Sequence, residues 1–285
     1  MLKRLGDRED AIWIFRVLNQ LNQLTQGAAL FGSERAEFEA AHMRLFEFMR
    51  QCNDARRELI RLVQKHIQDV GEGKSVTVGG NGHIIVDEDI EPALNRALNS
   101  FFVASRTVLY HLFGQKDDPS KGPHVKTVAE ILTGYNLSFA QVHKDTQFDK
   151  FAKEYLNAKS NGAKETHLID VIRSDRATWT LGLQDIRDKI IHDTSYQGLK
   201  MIYKANRNKV AIGFPRLNGV DLIPFMEMFW NNLVDAVEEI VVACIDTRMS
   251  AFITFVRIPE EKWDPNLPNR WTGVMLEGPT STAAT

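Results

Sequence analysis

Cysteine is scarce in this sequence. Its 285 residues include two cysteines, Cys52 and Cys244, which is too few for a disulfide framework and does not match the spacing of a metal site. Both are expected to be buried thiols in a reducing compartment. The N-terminal stretch MLKRLGDRED becomes acidic before any apolar run, so no signal peptide is expected. The sequence therefore predicts a cytoplasmic protein.

Long apolar runs and metal-ligand spacings are also missing. No window of about 18 residues is both apolar and uncharged, so the sequence predicts no membrane-spanning helix and no membrane partner. The histidines form neither His-x-x-x-His nor His-x-x-Glu-His, which are zinc-binding spacings on a helix, and we expect no metal and no other cofactor. The net charge of −2 argues against a broadly basic nucleic-acid-binding surface but allows a local phosphate site.

Two short stretches alternate with the period of a β-strand. In KSVTVGGNGHIIVD, apolar residues flank Gly79 to Gly82, which predicts a β-hairpin. A phosphate-binding loop is not expected there, because no Gly-Lys-Ser/Thr ending and no following helix accompany the glycines. Residues 201–214 alternate around Asn206-Arg207-Asn208 and predict a second hairpin. Strands are expected only near residues 75–86 and 201–214.

Elsewhere the apolar residues recur with the period of a helix. Residues 10–31 and 33–70 predict an antiparallel helical hairpin, and residues 89–113 and 220–256 predict two further long helices. The predicted fold class is therefore all-α, a helical bundle with an N-terminal helical hairpin and two short β-hairpins.

The expected organisation has three parts. Residues 1–87 hold the helical hairpin and the first β-hairpin, and residues 88–257 form the helical core. Residues 258–285 contain Pro265 and Pro268 and are expected to be an extended C-terminal tail.

One predicted helix carries a cluster of reactive side chains. In WTLGLQDIRDKIIHDTSY, residues 179–196, apolar residues recur at helical spacing, and Arg187, Asp188 and His192 lie on a polar stripe. These three side chains fall within about one and a half helical turns. A guanidinium can bind phosphate, and an imidazole beside a carboxylate can transfer a proton.

The stretch from Arg187 to His192, Arg-Asp-Lys-Ile-Ile-His, resembles the Arg-polar-x3-His signature of the HEPN superfamily. The resemblance extends over roughly residues 88–257. It implies a helical bundle of the HEPN type that acts as a metal-independent endoribonuclease. It also implies RNA as the substrate, a homodimer with two motif helices at its two-fold axis, and catalysis by Arg187, His192 and Asp188. Family members act in phage defence and toxin–antitoxin systems, so an antitoxin or defence partner protein is conceivable.

The chemistry suits these residue types. His192 would act as general acid or base in attack by the RNA 2′-OH, since imidazole titrates near neutral pH. Asp188 would orient the ring, and Arg187 would bind the phosphate. Asn95, Asn99 and Arg106 on the preceding long helix could support these groups.

Other interpretations stay open. An arginine five residues before a histidine also occurs at Arg61 and Arg106, but only Arg187 is followed by an acidic residue. HEPN members without nuclease activity exist, so the alternative is a non-catalytic RNA- or protein-binding helical scaffold. A third possibility is an exposed helix face whose charges form ordinary ion pairs.

Overall fold

The structure is a computed structural model that describes residues 12–28, 30, 32–81, 83–87, 89–114, 125–138, 142, 145–192, 198–206, 209–213, 215–217, 219–250, 252–263 and 269–275. Within these residues, 69% are helical and 13% lie in strands. The prediction of a predominantly helical chain is therefore confirmed.

The helices are numbered in chain order. A first helical segment, α1, comprises a π-helix at Phe15–Gln20, an α-helix at Leu21–Leu24 and a 3-10 turn at Thr25–Ala28. The others are α2 (Gly32–Gly71), α3 (Glu91–Phe113), α4 (Val128–Thr133), α5 (Asp145–Ala158), α6 (Ala163–Asp175), α7 (Leu181–His192) and α8 (Leu222–Asp246). A π-helical turn at Arg176–Thr180 connects α6 to α7, and a 3-10 turn lies at Glu260–Lys262.

Strands within the described residues form four two-stranded antiparallel sheets. The strands are β1 (Val76–Val78), β2 (Ile84–Val86), β3 (Ile202–Asn206), β4 (Lys209–Gly213), β5 (Arg216–Leu217), β6 (Val220–Asp221), β7 (Ile253–Arg257) and β8 (Trp271–Met275). Each odd-numbered strand pairs with the next one. The β1–β2 and β3–β4 pairs are the two predicted hairpins.

Two sheets correct the expectations drawn from the sequence. The predicted helix over 220–256 ends at Asp246, and residues 253–257 form β7 instead. The stretch Ile-Thr-Phe-Val-Arg is rich in β-branched and aromatic residues, which favour strands. Residues 271–275, expected in an extended tail, pair with β7 as β8. The short β5–β6 pair was also missing from the prediction, because two-residue strands carry no periodic signal.

The chain divides into two compact units. Among the described residues, the first unit contains those up to Glu47, those from Val108 to Thr180, and those from Val234 onward. The second unit contains Phe48–Thr107 and Leu181–Leu233. The boundaries at residues 87 and 257 expected from the sequence stay a prediction.

In the first unit, α1 packs antiparallel to the start of α2. The Trp13 and Phe46 rings stack with 5.3 Å between their centroids, and His42 Nε2 lies 2.7 Å from the carbonyl oxygen of Val17. Asn22, further along α1, accepts a hydrogen bond from Arg35 near the start of α2. This order of contacts is that of a helical hairpin, as the apolar pattern indicated.

The second unit has an aromatic core around α3 and α8. Phe101 and Phe102 are fully buried, and Phe102 meets Phe229 edge-to-face with 6.0 Å between centroids. Leu183 and Ile186 of α7 are also buried. The apolar stripe of the motif helix therefore faces the core, as predicted.

A single lysine holds the end of α8 in the first unit. Lys164 Nζ donates hydrogen bonds to the carbonyl oxygens of Asp246 (3.0 Å), Met249 (3.3 Å), Ser250 (3.0 Å) and Ile253 (2.5 Å). It also lies 3.3 Å from Asp246 Oδ1. The Asp246 carbonyl belongs to the last residue of α8, where carbonyl groups lack intrahelical partners, and the other three lie in the chain that follows. One ammonium therefore links the end of the helix to this chain.

We expect Lys164→Met to destabilise the protein strongly. The carbonyls and the largely buried Asp246 carboxylate would lose their shared donor, which should cost roughly 3 kcal/mol of unfolding free energy. Urea denaturation measures the change, and Lys153→Met, which removes an exposed lysine, is the matched control. A Lys164→Met protein as stable as this control would contradict the assigned role.

The first unit also holds a carboxyl group with an unusual pKa. Asp175 Oδ1 accepts a hydrogen bond of 3.2 Å from Trp179 Nε1, while Asp175 Oδ2 is buried without a hydrogen-bond partner. Burial is the main cause that raises the pKa of Asp175 to about 7. The hydrogen bond from Trp179 lowers the pKa, and the negative charges of Glu239 and Asp235 raise it by smaller amounts. The folded protein therefore retains a proton there that the unfolded chain releases at lower pH.

Stability should consequently fall as pH rises from about 4 to about 7, because only the unfolded Asp175 loses its proton readily in this window. Asp175→Asn should remove this dependence and be more stable than wild type at pH 8, with a smaller difference at pH 5. Thermal unfolding across pH measures the effect. Asp149→Asn, at an exposed position, is the control. A difference that does not vary with pH would refute the assignment.

Candidate functional site

Helix α7 presents Arg187 and Asp188, two of the three predicted site residues, on its polar face. Leu183 and Ile186 are buried, so they fix the rotation of the helix against the second unit. Arg187 and Asp188 follow directly and are half-buried. The local sequence therefore places a guanidinium and a carboxylate at the edge of the core, where solvent still reaches them.

The carboxylate of Asp188 lies close to two guanidinium groups. Arg187 Nη1 donates a hydrogen bond of 2.6 Å to Asp188 Oδ1, and Arg106 Nη1 lies 3.8 Å from the same oxygen. The exposed fractions of these side chains are 19% for Arg187, 23% for Arg106 and 44% for Asp188. Two cations thus share one anion, which is more exposed than either of them. The three side chains of this Arg106–Asp188–Arg187 cluster together carry a net positive charge.

Helix α3 contributes Arg106 to this cluster. Its neighbours Phe101, Phe102 and Ser105 are buried, which anchors this part of α3 in the core of the second unit. Because Arg106 is four residues after Phe102, it occupies a nearby face one turn further along the helix. Of the supporting residues that the sequence suggested, Arg106 reaches the motif.

Asn95 has a different role from the one expected. Its side chain accepts a hydrogen bond of 2.8 Å from the Leu199 N–H and donates one of 3.3 Å to the Leu199 carbonyl. Glu91 Oε1 accepts a further bond of 2.8 Å from Met201 N–H. These bonds attach the chain before β3 to the first turns of α3. Asn99 is exposed.

His192 is the last residue of α7, four residues after Asp188. Its side chain lies outside the part of the chain that the structure describes, as do residues 193–197. The helical backbone nevertheless places His192 about one turn beyond Asp188. The catalytic role expected for His192 stays a prediction.

Of the other two arginine–histidine spacings, Arg61–His66 makes structural contacts, while Arg106 belongs to the cluster described above. Arg61 is exposed and pairs with Glu58, with 2.7 Å between Nη2 and Oε1. His66 Nε2 lies 2.8 Å from the hydroxyl oxygen of Tyr203, and the two rings meet edge-to-face. Arg61 and His66 therefore make local and tertiary structural contacts of their own.

The cluster has the chemistry of an anion-binding site. Guanidinium groups bind phosphate through pairs of parallel hydrogen bonds. The Asp188 carboxylate orients Arg187 and reduces the repulsion between the two cations. Among the described residues, no group of three or more His, Cys, Asp and Glu side chains is placed to hold a metal ion.

A second group of polar residues carries no signal in the sequence. These line a cavity of about 300 Å³ in the first unit, and they include Thr133, Tyr155, Lys159, Glu165, Thr247 and Arg248. The residues come from α4, α5, α6 and the chain after α8, so no spacing within one helix reveals them. Tyr155 in particular occupies an apolar position of α5.

None of the helices in the described ranges is long and apolar enough to cross a membrane.

No family model, no curated protein and no solved structure matches the chain. The resemblance to the HEPN superfamily therefore rests on the Arg187–His192 motif and its sequence context.

Proposed function

We propose that this protein is a metal-independent endoribonuclease of the HEPN type. The observation that supports this most is the Arg106–Asp188–Arg187 cluster, with His192 one turn further along α7. Phosphate-binding groups and a proton-transfer group are what RNA cleavage by the 2′-OH requires. In this proposal RNA is the substrate, and the protein acts in the cytoplasm in phage defence or a toxin–antitoxin system, together with an antitoxin or defence partner protein.

Arg187 binds the scissile phosphate in this proposal. Its side chain is 19% exposed, and the 2.6 Å bond to Asp188 Oδ1 restricts its orientation. A guanidinium held in this way stabilises the charge that develops on the phosphate oxygens in the transition state. Arg106 adds a second positive charge and increases the affinity for RNA.

His192 transfers protons, taking one from the 2′-OH or giving one to the leaving 5′-oxygen. An imidazole is suited to this because its ordinary pKa lies near 6.5. The Asp188 carboxylate one turn earlier favours the protonated imidazolium. The reaction needs no metal, because the neighbouring hydroxyl of RNA is the nucleophile.

Two subunits complete the site. Side chains five residues apart on an ideal helix diverge by about 140°, so one α7 does not direct both Arg187 and His192 at one phosphate. A homodimer with its two α7 helices at a two-fold axis brings the arginine of one copy to the histidine of the other. This arrangement follows from the helix geometry and from the HEPN resemblance.

The direct test is cleavage of structured RNA in the presence of a chelator. We expect cleavage to persist and to leave 2′,3′-cyclic phosphate ends, whereas DNA of the same sequence should resist because it lacks the 2′-OH. His192→Ala should slow cleavage by about 10²–10⁴-fold. Arg187→Lys should lose most activity, since an ammonium does not replace a bidentate guanidinium. Asp188→Asn should be milder, because an amide still accepts hydrogen bonds.

Two further arginine variants serve as comparisons in the same assay. Arg61→Ala removes an exposed arginine that pairs with Glu58, so the cleavage step should be unaffected. Arg106→Ala should weaken RNA binding and reduce its salt dependence, because one phosphate-attracting charge is lost. If His192→Ala cleaves as fast as wild type, the catalytic assignment is wrong. If wild type binds RNA through Arg187 without cleaving it, the protein is a non-catalytic scaffold.

A further inference from the structure

The cavity in the first unit has polar groups that the proposed nuclease activity does not use. Its volume of about 300 Å³ lies at the lower end of the range for small-molecule sites. It is lined by both charged and hydroxyl-bearing side chains. Which of these are already occupied by protein partners decides what the cavity can bind.

Three of the polar residues are already hydrogen-bonded. Arg248 donates to both carboxylate oxygens of Glu34, at 2.6 and 3.0 Å, and to the carbonyl of Ile131 at 2.9 Å. The hydroxyls of Thr133 and Thr247 each donate to a backbone carbonyl one turn earlier, both at 2.7 Å. These residues shape the wall of the cavity and offer no unused charge.

Tyr155 is fully buried, and its hydroxyl makes no hydrogen bond to any described residue. Its ring meets Tyr135 edge-to-face at 5.3 Å between centroids and stacks on Phe151 at 6.4 Å, so the position of the ring is fixed. A buried hydroxyl without a partner costs about 1–3 kcal/mol. Burial, with smaller contributions from Cys244 and Glu165, raises the pKa of Tyr155, so the hydroxyl stays protonated and is a donor.

Lys159 supplies an unpaired positive charge. Its Nζ lies 3.5 Å from the point where a Cβ on Gly134 would be, which places the ammonium over the left-handed residue that ends α4. No ion pair or hydrogen bond of this ammonium is recorded among the described residues. Because the side chain is half-buried, its charge is less solvated than that of an exposed lysine.

Glu165 lies in the first turn of α6, and its carboxylate has no recorded hydrogen bond or ion pair with another described residue. Its Oε2 lies 2.0 Å from the point where a Cβ on Gly162 would be, so the carboxylate folds back over the start of the helix. The positive end of the helix dipole favours an anion there. The carboxylate lines the same cavity as the Tyr155 side chain.

The groups that line this cavity and have no recorded partner among the described residues are therefore a hydroxyl donor, a carboxylate acceptor and an ammonium. A hydroxyl group of a ligand can accept from Tyr155 and donate to Glu165 at once, whereas an ammonium group can only donate. An anionic group is the complement of Lys159. We propose that this cavity binds a small hydroxylated anion, whose hydroxyl contacts Tyr155 and Glu165 and whose carboxylate or phosphate pairs with Lys159. This site is independent of RNA cleavage.

Isothermal titration of the full chain tests the ligand class. The probes are glycerate and glycerol phosphate, which carry both groups, together with acetate, which lacks the hydroxyl, and glycerol, which lacks the charge. We expect at least one of the first two to bind, and acetate and glycerol to bind at least tenfold more weakly. The comparison of glycerate with glycerol phosphate identifies the anionic group. Binding of none of the probes at millimolar concentration, or equal binding of acetate, would overturn the proposal.

Variants test the assigned residues. Tyr155→Phe keeps the ring and removes the hydroxyl, so it should weaken binding about tenfold or more without lowering the melting temperature of the free protein. Lys159→Met should abolish binding, while Lys153→Met, at an exposed position of α5, should leave it unchanged. If Tyr155→Phe fails to fold, Lys159→Met still tests the site, because Lys159 is half-buried and its replacement disturbs the core less than a change at the fully buried Tyr155. Unchanged binding in Lys159→Met would refute the site.

Discussion

The candidate site depends on the hydrogen bond of 2.6 Å between Arg187 Nη1 and Asp188 Oδ1. The same oxygen lies 3.8 Å from Arg106 Nη1. Without this carboxylate, two guanidiniums on neighbouring helices would repel each other and lose their common orientation. One anion thus holds two cations at the surface of the second unit. The net positive charge that remains attracts phosphate, which is the property on which the proposed nuclease activity rests.

The rest of the second unit keeps α3 and α7 in place around this cluster. Leu183 and Ile186 bury the apolar face of α7, so Arg187 and Asp188 emerge on its polar face. Asn95 holds the backbone of Leu199 with two hydrogen bonds, which attaches the chain after α7 to α3. The polar site therefore rests on ordinary core packing and on a small number of specific bonds. Rigid support of this kind is what a preorganised anion site requires.

Periodicity predicted the features that depend on local sequence. The sequence predicted α1, α2, α3, α7 and the body of α8, together with the β1–β2 and β3–β4 hairpins and the buried stripe of α7, because each is encoded within one segment. It did not predict α6. The end of α8 was not predicted, because Lys164, 82 residues earlier, binds the carbonyl of Asp246, the last residue of the helix. In the site, the pairing of Arg187 with Asp188 follows from their adjacency, while the approach of Arg106 is a tertiary contact. The Tyr155 cavity combines distant segments and has no sequence signature.

The central claim is that Arg187 and His192 of different subunits act on one phosphate. Mixing two inactive variants tests it most directly, after subunit exchange has been verified with differently tagged chains. In a mixed dimer of Arg187→Ala and His192→Ala, one intact arginine faces one intact histidine. The account predicts that the mixture cleaves RNA well above the sum of the two separate variants. A mixture no more active than its separate components, despite verified exchange, would contradict the account.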